Sequence, residues 1–166
     1  MKQLSAQTIG SVIKELPPHF SILTTWGLRP EWDEKGENIY FLNKMVGDVF
    51  KINIKTREVT CVTNGFYHAG IFRVLCLKNG DLLLGIGGKD FDPAEPEKHR
   101  HNLEMYILKK DDLKHPISLS VFMDEGPAVS RNGKWIALQF GFMKGAGDGQ
   151  GIFLFDVEKY EKLINK

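Results

Sequence analysis

Whatever chemistry this chain performs must come from a small set of imidazoles and carboxylates, with the guanidinium of Arg73. His68 stands in Asn64-Gly65-Phe66-Tyr67-His68-Ala69-Gly70. His99 and His101 flank Arg100 in a loop that also holds Asp90, Asp92, Glu95 and Glu97, and Asp124-Glu125 precede Gly126. Histidine is the commonest metal ligand and titrates nearest neutral pH, so His68, His99 and His101 are candidates to hold a divalent metal. His68, Arg73, Asp124 and Glu125 are candidates to bind a sugar acid or a peptide carboxylate. The plainer alternatives are that His68 ties down its own loop through backbone hydrogen bonds, and that His99 and His101 form a solvated turn with Lys98 and Arg100.

Other signatures fall away on inspection. No Gly-x-Ser-x-Gly elbow occurs, which removes the hydrolase nucleophile. The Asp90–Glu97 loop lacks the alternating ligands and glycine of a calcium loop. The run Gly145-Ala146-Gly147-Asp148-Gly149-Gln150-Gly151 joins two strands and opens no helix, so it lacks the amide end that grips phosphate. Trp26 and Phe91 lie near loops, where they can stack on a ligand or pack at a rim.

The elements that must position these residues come in a repeat. Residues 29–41, 72–84 and 126–138 each hold a short apolar segment and a turn, followed by a strand rich in branched and aromatic residues. The turns are Asp33-Glu34-Lys35-Gly36, Lys78-Asn79-Gly80-Asp81 and Arg131-Asn132-Gly133-Lys134. Asn-Gly between such runs signals a β-hairpin, because the turn needs positive φ. A third strand follows at 48–54, 104–108 and 151–157, and a fourth at 58–63 and 117–122, whereas 158–166 reads as either strand or helix. Turn glycines 44 and 53 residues apart have the period of four-stranded propeller blades.

The expected fold is therefore all-β, a partial β-propeller of about three four-stranded antiparallel blades (about 29–66, 67–123 and 124–166). A leader, 1–28, precedes them, with Phe20–Trp26 as an outer strand of a preceding blade. Trp32, Tyr40, Phe41, Phe50, Trp135, Phe153 and Phe155 are expected to pack blade against blade. Strand parity sends the loops between second and third strands, and those joining blades, to one face; His68, His99, His101, Asp124 and Glu125 gather there.

Composition narrows the partners. Lys plus Arg number 22 against 21 for Asp plus Glu in 166 residues, so no net field attracts nucleic acid or an anionic membrane. With 42% hydrophobic residues the chain can bury a core. Its first ten residues lack a secretory signal and no run of eighteen apolar residues occurs. Cys61 and Cys76 lie in strand-like runs, as buried thiols do. The expected location is the cytoplasm.

Glu125-Gly126-Pro127-Ala128-Val129-Ser130-Arg131-Asn132-Gly133-Lys134-Trp135-Ile136-Ala137 resembles the repeat of TolB-like β-propellers. Residues 32–41 with 49–59 agree, while Leu77-Lys78-Asn79-Gly80-Asp81 departs from the usual turn. The resemblance covers roughly residues 29–157 and implies a binding or scaffold module that offers a loop-rich face to a protein or oligosaccharide. Three blades cannot close a ring, so the expectation is a fragment of a longer propeller or a half-propeller that a homo-oligomer completes. His68 is also similar in character to the histidine that some propeller oligogalacturonate lyases use with a divalent metal, which leaves catalysis open.

Overall fold

A computed structural model describes residues 16–92, 94–100, 103–124, 126–140 and 151–164. Each of the three turns folds as the sequence requires. Gly36, Gly80 and Gly133 have φ of 69°, 88° and 70°, in the left-handed region where only glycine is free of steric cost. Each glycine N–H bonds back across its turn, to Asp33 O, Leu77 O and Ser130 O. The preceding side chain closes the loop in each case: Asp33 Oδ1 accepts from Glu37 N, Asn79 Oδ1 from Asp81 N, and Asn132 Oδ1 from Lys134 N.

Three antiparallel sheets result. The first is β1 (Leu28–Trp32), β2 (Asn38–Leu42), β3 (Val49–Asn53) and β4 (Val59–Cys61), in that order. The second is β5 (Ile71–Cys76), β6 (Leu82–Gly87), β7 (Leu103–Lys109) and β8 (Asp112–Met123), with a one-turn helix α1 (Pro96–His99) in the β6–β7 loop. The third is β9 (Ala128–Val129), β10 (Trp135–Phe140) and β11 (Gly151–Asp156), followed by helix α2 (Val157–Ile164).

These sheets are fanned blades, not one continuous sheet. The first strands neighbour one another, β1 against β5 and β5 against β9, as strands lining a common axis must. The apolar core is divided in two by blade 2, and every residue of β6 is buried. Leu82, Leu84 and Ile86 pack with Leu42, Val49, Ile71 and Val74 on the blade 1 side. Leu83 packs with Leu103, Met105, Ile136 and Leu138 on the blade 3 side. A strand buried on both faces reads as a continuous apolar run, and Leu82-Leu83-Leu84 is one. At the turn side, blade 3 sits on blade 2: a Cβ on Gly133 would come within 2.4 Å of Lys78 Cβ. The fold is a partial β-propeller.

Four details differ from the sequence reading. Residues 16–27 run as turns and bends, not as an outer strand, and lay Trp26 on blade 1. Trp32 and Trp135 pack on outward faces, 56% and 39% exposed, because Trp32 opposes Ile39 and Trp135 opposes Asp156 on the sides turned away from blade 2. β8 is twice the expected length, beginning at Asp112 and passing through Pro116, which an edge strand tolerates since no neighbour needs its N–H.

Blade 3 has three strands among the described residues, not four. The divergence starts at one residue. Asn53, ending β3, accepts from Lys55 N and Thr56 N and turns the chain through Arg57 (φ 64°) into β4. Asp156, ending β11, accepts instead from Lys159 N as a helix cap. Val157 and Tyr160 then face inward, and Tyr160 donates to Ser118 O of blade 2 at 3.2 Å.

Candidate functional site

Three loops from two blades meet on the face opposite the hairpin turns. The β2–β3 loop is clamped to the start of β5 by Gly47 N to Ile71 O and Ile71 N to Gly47 O, at 3.1 and 3.0 Å. The blade-joining loop is held to the end of β6 by Gly87 N to Gly70 O at 3.0 Å. Gly70 has φ 145°, and a Cβ there would meet Val46 Cγ1 at 2.3 Å, so the close approach of these two loops requires glycine. Phe91 enters from the β6–β7 loop and lies edge-on to Phe72, centroids 5.4 Å apart.

Between the loops lies a cavity of about 460 Å³, lined by Lys44, Met45, Asp48, His68, Phe91 and Pro96 among others. His68 is its most buried polar side chain, at 11% exposure. Its Nε2 lies 3.1 Å from Asp48 Oδ1, and its Nδ1 is buried with no hydrogen-bond partner. Phe66 packs beside the ring at 5.4 Å. Asp48 is itself fixed. Its Oδ1 accepts from Thr63 Oγ1 at 3.2 Å, and Thr63, fully buried, accepts from Val49 N at 3.0 Å. Asn43 Oδ1 accepts from Asp48 N, so the carboxylate is oriented by both flanking segments. The arrangement is a preset imidazole–carboxylate pair at the wall of a half-apolar cleft with Lys44 at its mouth. It can grip a chain that combines an apolar group with a charged or hydrogen-bonding one.

His99 stands on α1 behind Phe91, their rings 5.4 Å apart, and its Nε2 accepts from Asp92 N at 3.2 Å. That nitrogen is engaged by the backbone of its own loop. Arg73 lies on β5 opposite Gly85, away from the cavity lining. Its Nε is buried and without a hydrogen-bond partner. Burial pushes the Glu31 carboxyl up, against the opposing pull of the Cys76 N–H and the Arg73 cation. Asp124 donates its N–H to Gln139 O at 3.1 Å and joins blade 2 to blade 3. His101 and Glu125 lie outside the described residues. The structure thus brings His68 and the loop of His99 together around Phe91, and leaves Arg73 and Asp124 elsewhere.

Among the described residues no three His, Cys, Asp or Glu side chains gather as a metal site. His68 and Asp48 make a two-donor set. The sequence reading missed Asp48, Thr63 and Lys44. Strand parity carried the signal for two of them, since Lys44 and Asp48 sit in the short β2–β3 loop, which leaves the same end of the fan as the longer loops.

No family model matches this sequence, and no curated protein matches it either. Solved structures do. TolB from Acinetobacter baumannii superposes with a TM-score of 0.61 at 17% identity, over 83% of this chain and 32% of that one. Hydrazine synthase from Kuenenia stuttgartiensis gives 0.51 at 13% identity, over 87% of this chain and 37% of that one. The chain therefore spans about a third of the length of these structures, and the likeness is one of fold: a TolB-like β-propeller. No described helix is long and apolar enough to cross a membrane.

Proposed function

We propose that this propeller segment is a non-catalytic binding module whose ligand, a protein loop or an oligosaccharide, docks on the face that carries the His68 cavity. One observation carries the reading: loops of two rigid blades converge on a cleft whose polar wall, His68–Asp48–Thr63, is hydrogen-bonded before any ligand arrives. A preset wall costs little ordering on binding, and a cleft lined by Met45, Phe91 and Pro96 beside Lys44 suits a ligand with apolar and anionic parts. The fold itself, built of rigid blades with variable loops, is suited to presenting such a face.

A second reading, part of a metal-dependent propeller enzyme similar to oligogalacturonate lyases, is favoured by the buried Nδ1 of His68, which has no partner. In it, His68 and one or more of His99, His101 and Arg73 would hold a divalent metal or a substrate carboxylate. One experiment separates the two. The purified chain is screened for retention on arrays of acidic oligosaccharides and acidic peptides, and assayed for metal-dependent turnover of uronate polymers, alongside Lys44→Glu and His68→Ala. The binding module retains a ligand, loses it on Lys44→Glu, and turns nothing over. Metal-dependent turnover abolished by His68→Ala overturns it.

A further inference from the structure

Three Asn-Gly pairs occur in this chain, Asn64-Gly65, Asn79-Gly80 and Asn132-Gly133. Asn-Gly is the pair at which asparagine loses its side-chain amide most readily. The next backbone nitrogen attacks the side-chain carbonyl carbon, and glycine, lacking a Cβ, leaves that approach open. The attack needs a glycine N–H that is not held in a hydrogen bond, because the nitrogen must give up its proton. It also needs an asparagine side chain free to swing onto that nitrogen.

At two of the pairs the hairpin withholds both groups. Gly80 N donates to Leu77 O at 2.9 Å and Gly133 N to Ser130 O at 2.8 Å. Asn79 Oδ1 accepts from Asp81 N, and its Nδ2 donates to Asp81 Oδ2. Asn132 Oδ1 accepts from Lys134 N and from Ser130 Oγ. In both turns asparagine is the third residue and glycine the fourth, whose N–H closes the turn.

At Asn64-Gly65 the frame is shifted by one residue. Asn64 and Gly65 are themselves the two central residues of the turn, and both are exposed. The N–H of a central glycine does not close a turn. Among the described residues neither the Asn64 side chain nor Gly65 N has a hydrogen-bond partner. This turn also adjoins the cavity wall. Thr63, fully buried, immediately precedes it and bonds Asp48 through Oγ1, and His68 follows in the same loop. A Cβ on Gly65 would come within 3.0 Å of Leu113 O, so the loop rests on the start of β8.

We propose that Asn64 is a site of spontaneous deamidation whose conversion loosens the His68–Asp48–Thr63 wall of the cavity. Gly65 N, its proton taken by solvent base, bonds to Asn64 Cγ. The Cγ–Nδ2 bond breaks and that nitrogen leaves as ammonia, which closes a cyclic imide. Water then opens the ring at either carbonyl. Opening at the side-chain carbonyl leaves aspartate, and opening at the main-chain carbonyl leaves an isoaspartyl link. The sum is amide plus water to carboxylic acid plus ammonia, with no change of oxidation state. Both products set a carboxylate beside Thr63, and the isoaspartyl link lengthens the main chain by one carbon between Thr63 and Gly65. The hydrogen bond from Thr63 to Asp48, and through it the seat of His68, then shifts.

The test is peptide mass spectrometry on the full chain aged in mildly alkaline buffer. The peptide holding Asn64 is expected to gain one mass unit and to split into two chromatographic species. Those holding Asn79 and Asn132 are expected to convert at least about tenfold more slowly, since the hairpins react only through local opening. In denaturant the three convert at comparable rates. The His68 ring signals in nuclear magnetic resonance move in the aged wild type and stay in place in aged Asn64→Ser. Conversion at Asn79 or Asn132 as fast as at Asn64, or an Asn64 peptide that converts only in denaturant, overturns the site. His68 signals unmoved in fully converted protein overturn its effect on the cavity.

Discussion

Replacing Trp26 by alanine removes the cover from the outward face of blade 1, and its cost can be worked from the structure. Trp26 is 43% exposed, so a side chain of about 250 Å² withdraws about 140 Å² from water, or about 3.5 kcal/mol at ~25 cal/mol per Å². Residual burial in the unfolded chain lowers this to about 2–3 kcal/mol. The two edge-on contacts with Phe41 and Phe50 return roughly 1 kcal/mol. The expected loss is about 3 kcal/mol, a large part of the roughly 5–15 kcal/mol that holds a domain together, and a fall in Tm of about 6–12 °C. Urea unfolding followed by circular dichroism reads the loss, and a hydrophobic dye reads the uncovered Phe41 and Ile52. Trp26→Phe is expected to restore much of both. A loss below about 1 kcal/mol with unchanged dye binding would refute the view that this segment closes the blade 1 end.

Three further outcomes follow from the geometry. Asp81 is 4% exposed and accepts from Lys110 N and Asn79 Nδ2 at 2.9 Å each; Asp81→Ala removes the acceptor of both bonds, one of them charge-assisted from the backbone, and is expected to cost about 2–3 kcal/mol in chemical unfolding. Gly70→Ala puts a methyl group against Val46 at a φ of 145°, and is expected to cost at least about 2 kcal/mol and to weaken ligand retention at the His68 cavity, measured by melting and by the array assay. At Asp33, burial raises the carboxyl pKa, but hydrogen bonds from Asn38, Glu37 and Gly36 outweigh it and hold the value below the usual range. A depressed folded value gives stability that is present above the ordinary carboxylate range and is lost as pH falls through the folded value. Unfolding titrations between neutral pH and about pH 2 should therefore show a smaller acid-side loss in Asp33→Asn than in the wild type.

The hairpins were legible because their chemistry is local: Asn79-Gly80 and Asn132-Gly133 specify a turn with no help from the rest of the chain. The run Leu82-Leu83-Leu84 carried the signal for the double burial of β6, since it leaves no polar face for water, and the sequence reading passed over it. Features decided by distant contacts were not legible. Phe20–Trp26 has the composition of a strand, yet Trp26 gains more by capping Phe41 and Phe50 than by extending a sheet. Residues 158–166 fit strand or helix by sequence, and Asp156 settles it by capping Lys159 N where Asn53 turns a hairpin. Within the site, His68 was legible as the imidazole of a blade-joining loop. Its partner Asp48 was not, because the pairing spans twenty residues and depends on how two loops cross. Arg73 lies on β5 opposite Gly85, outside the cavity lining.

The fan of blades, with blade 2 buried on both sides, is tested most directly by methyl–methyl nuclear Overhauser contacts in the isotopically labelled chain. Leu84 should contact methyls of Leu42 and Val49 and none of blade 3, while Leu83, the adjacent residue, should contact Ile136 and Leu138 and none of blade 1. Leu83 and Leu84 reporting the same neighbours, or contacts that join blades 1 and 3 directly through their strand edges, would contradict the fan and, with it, the loop face on which the His68 cavity lies.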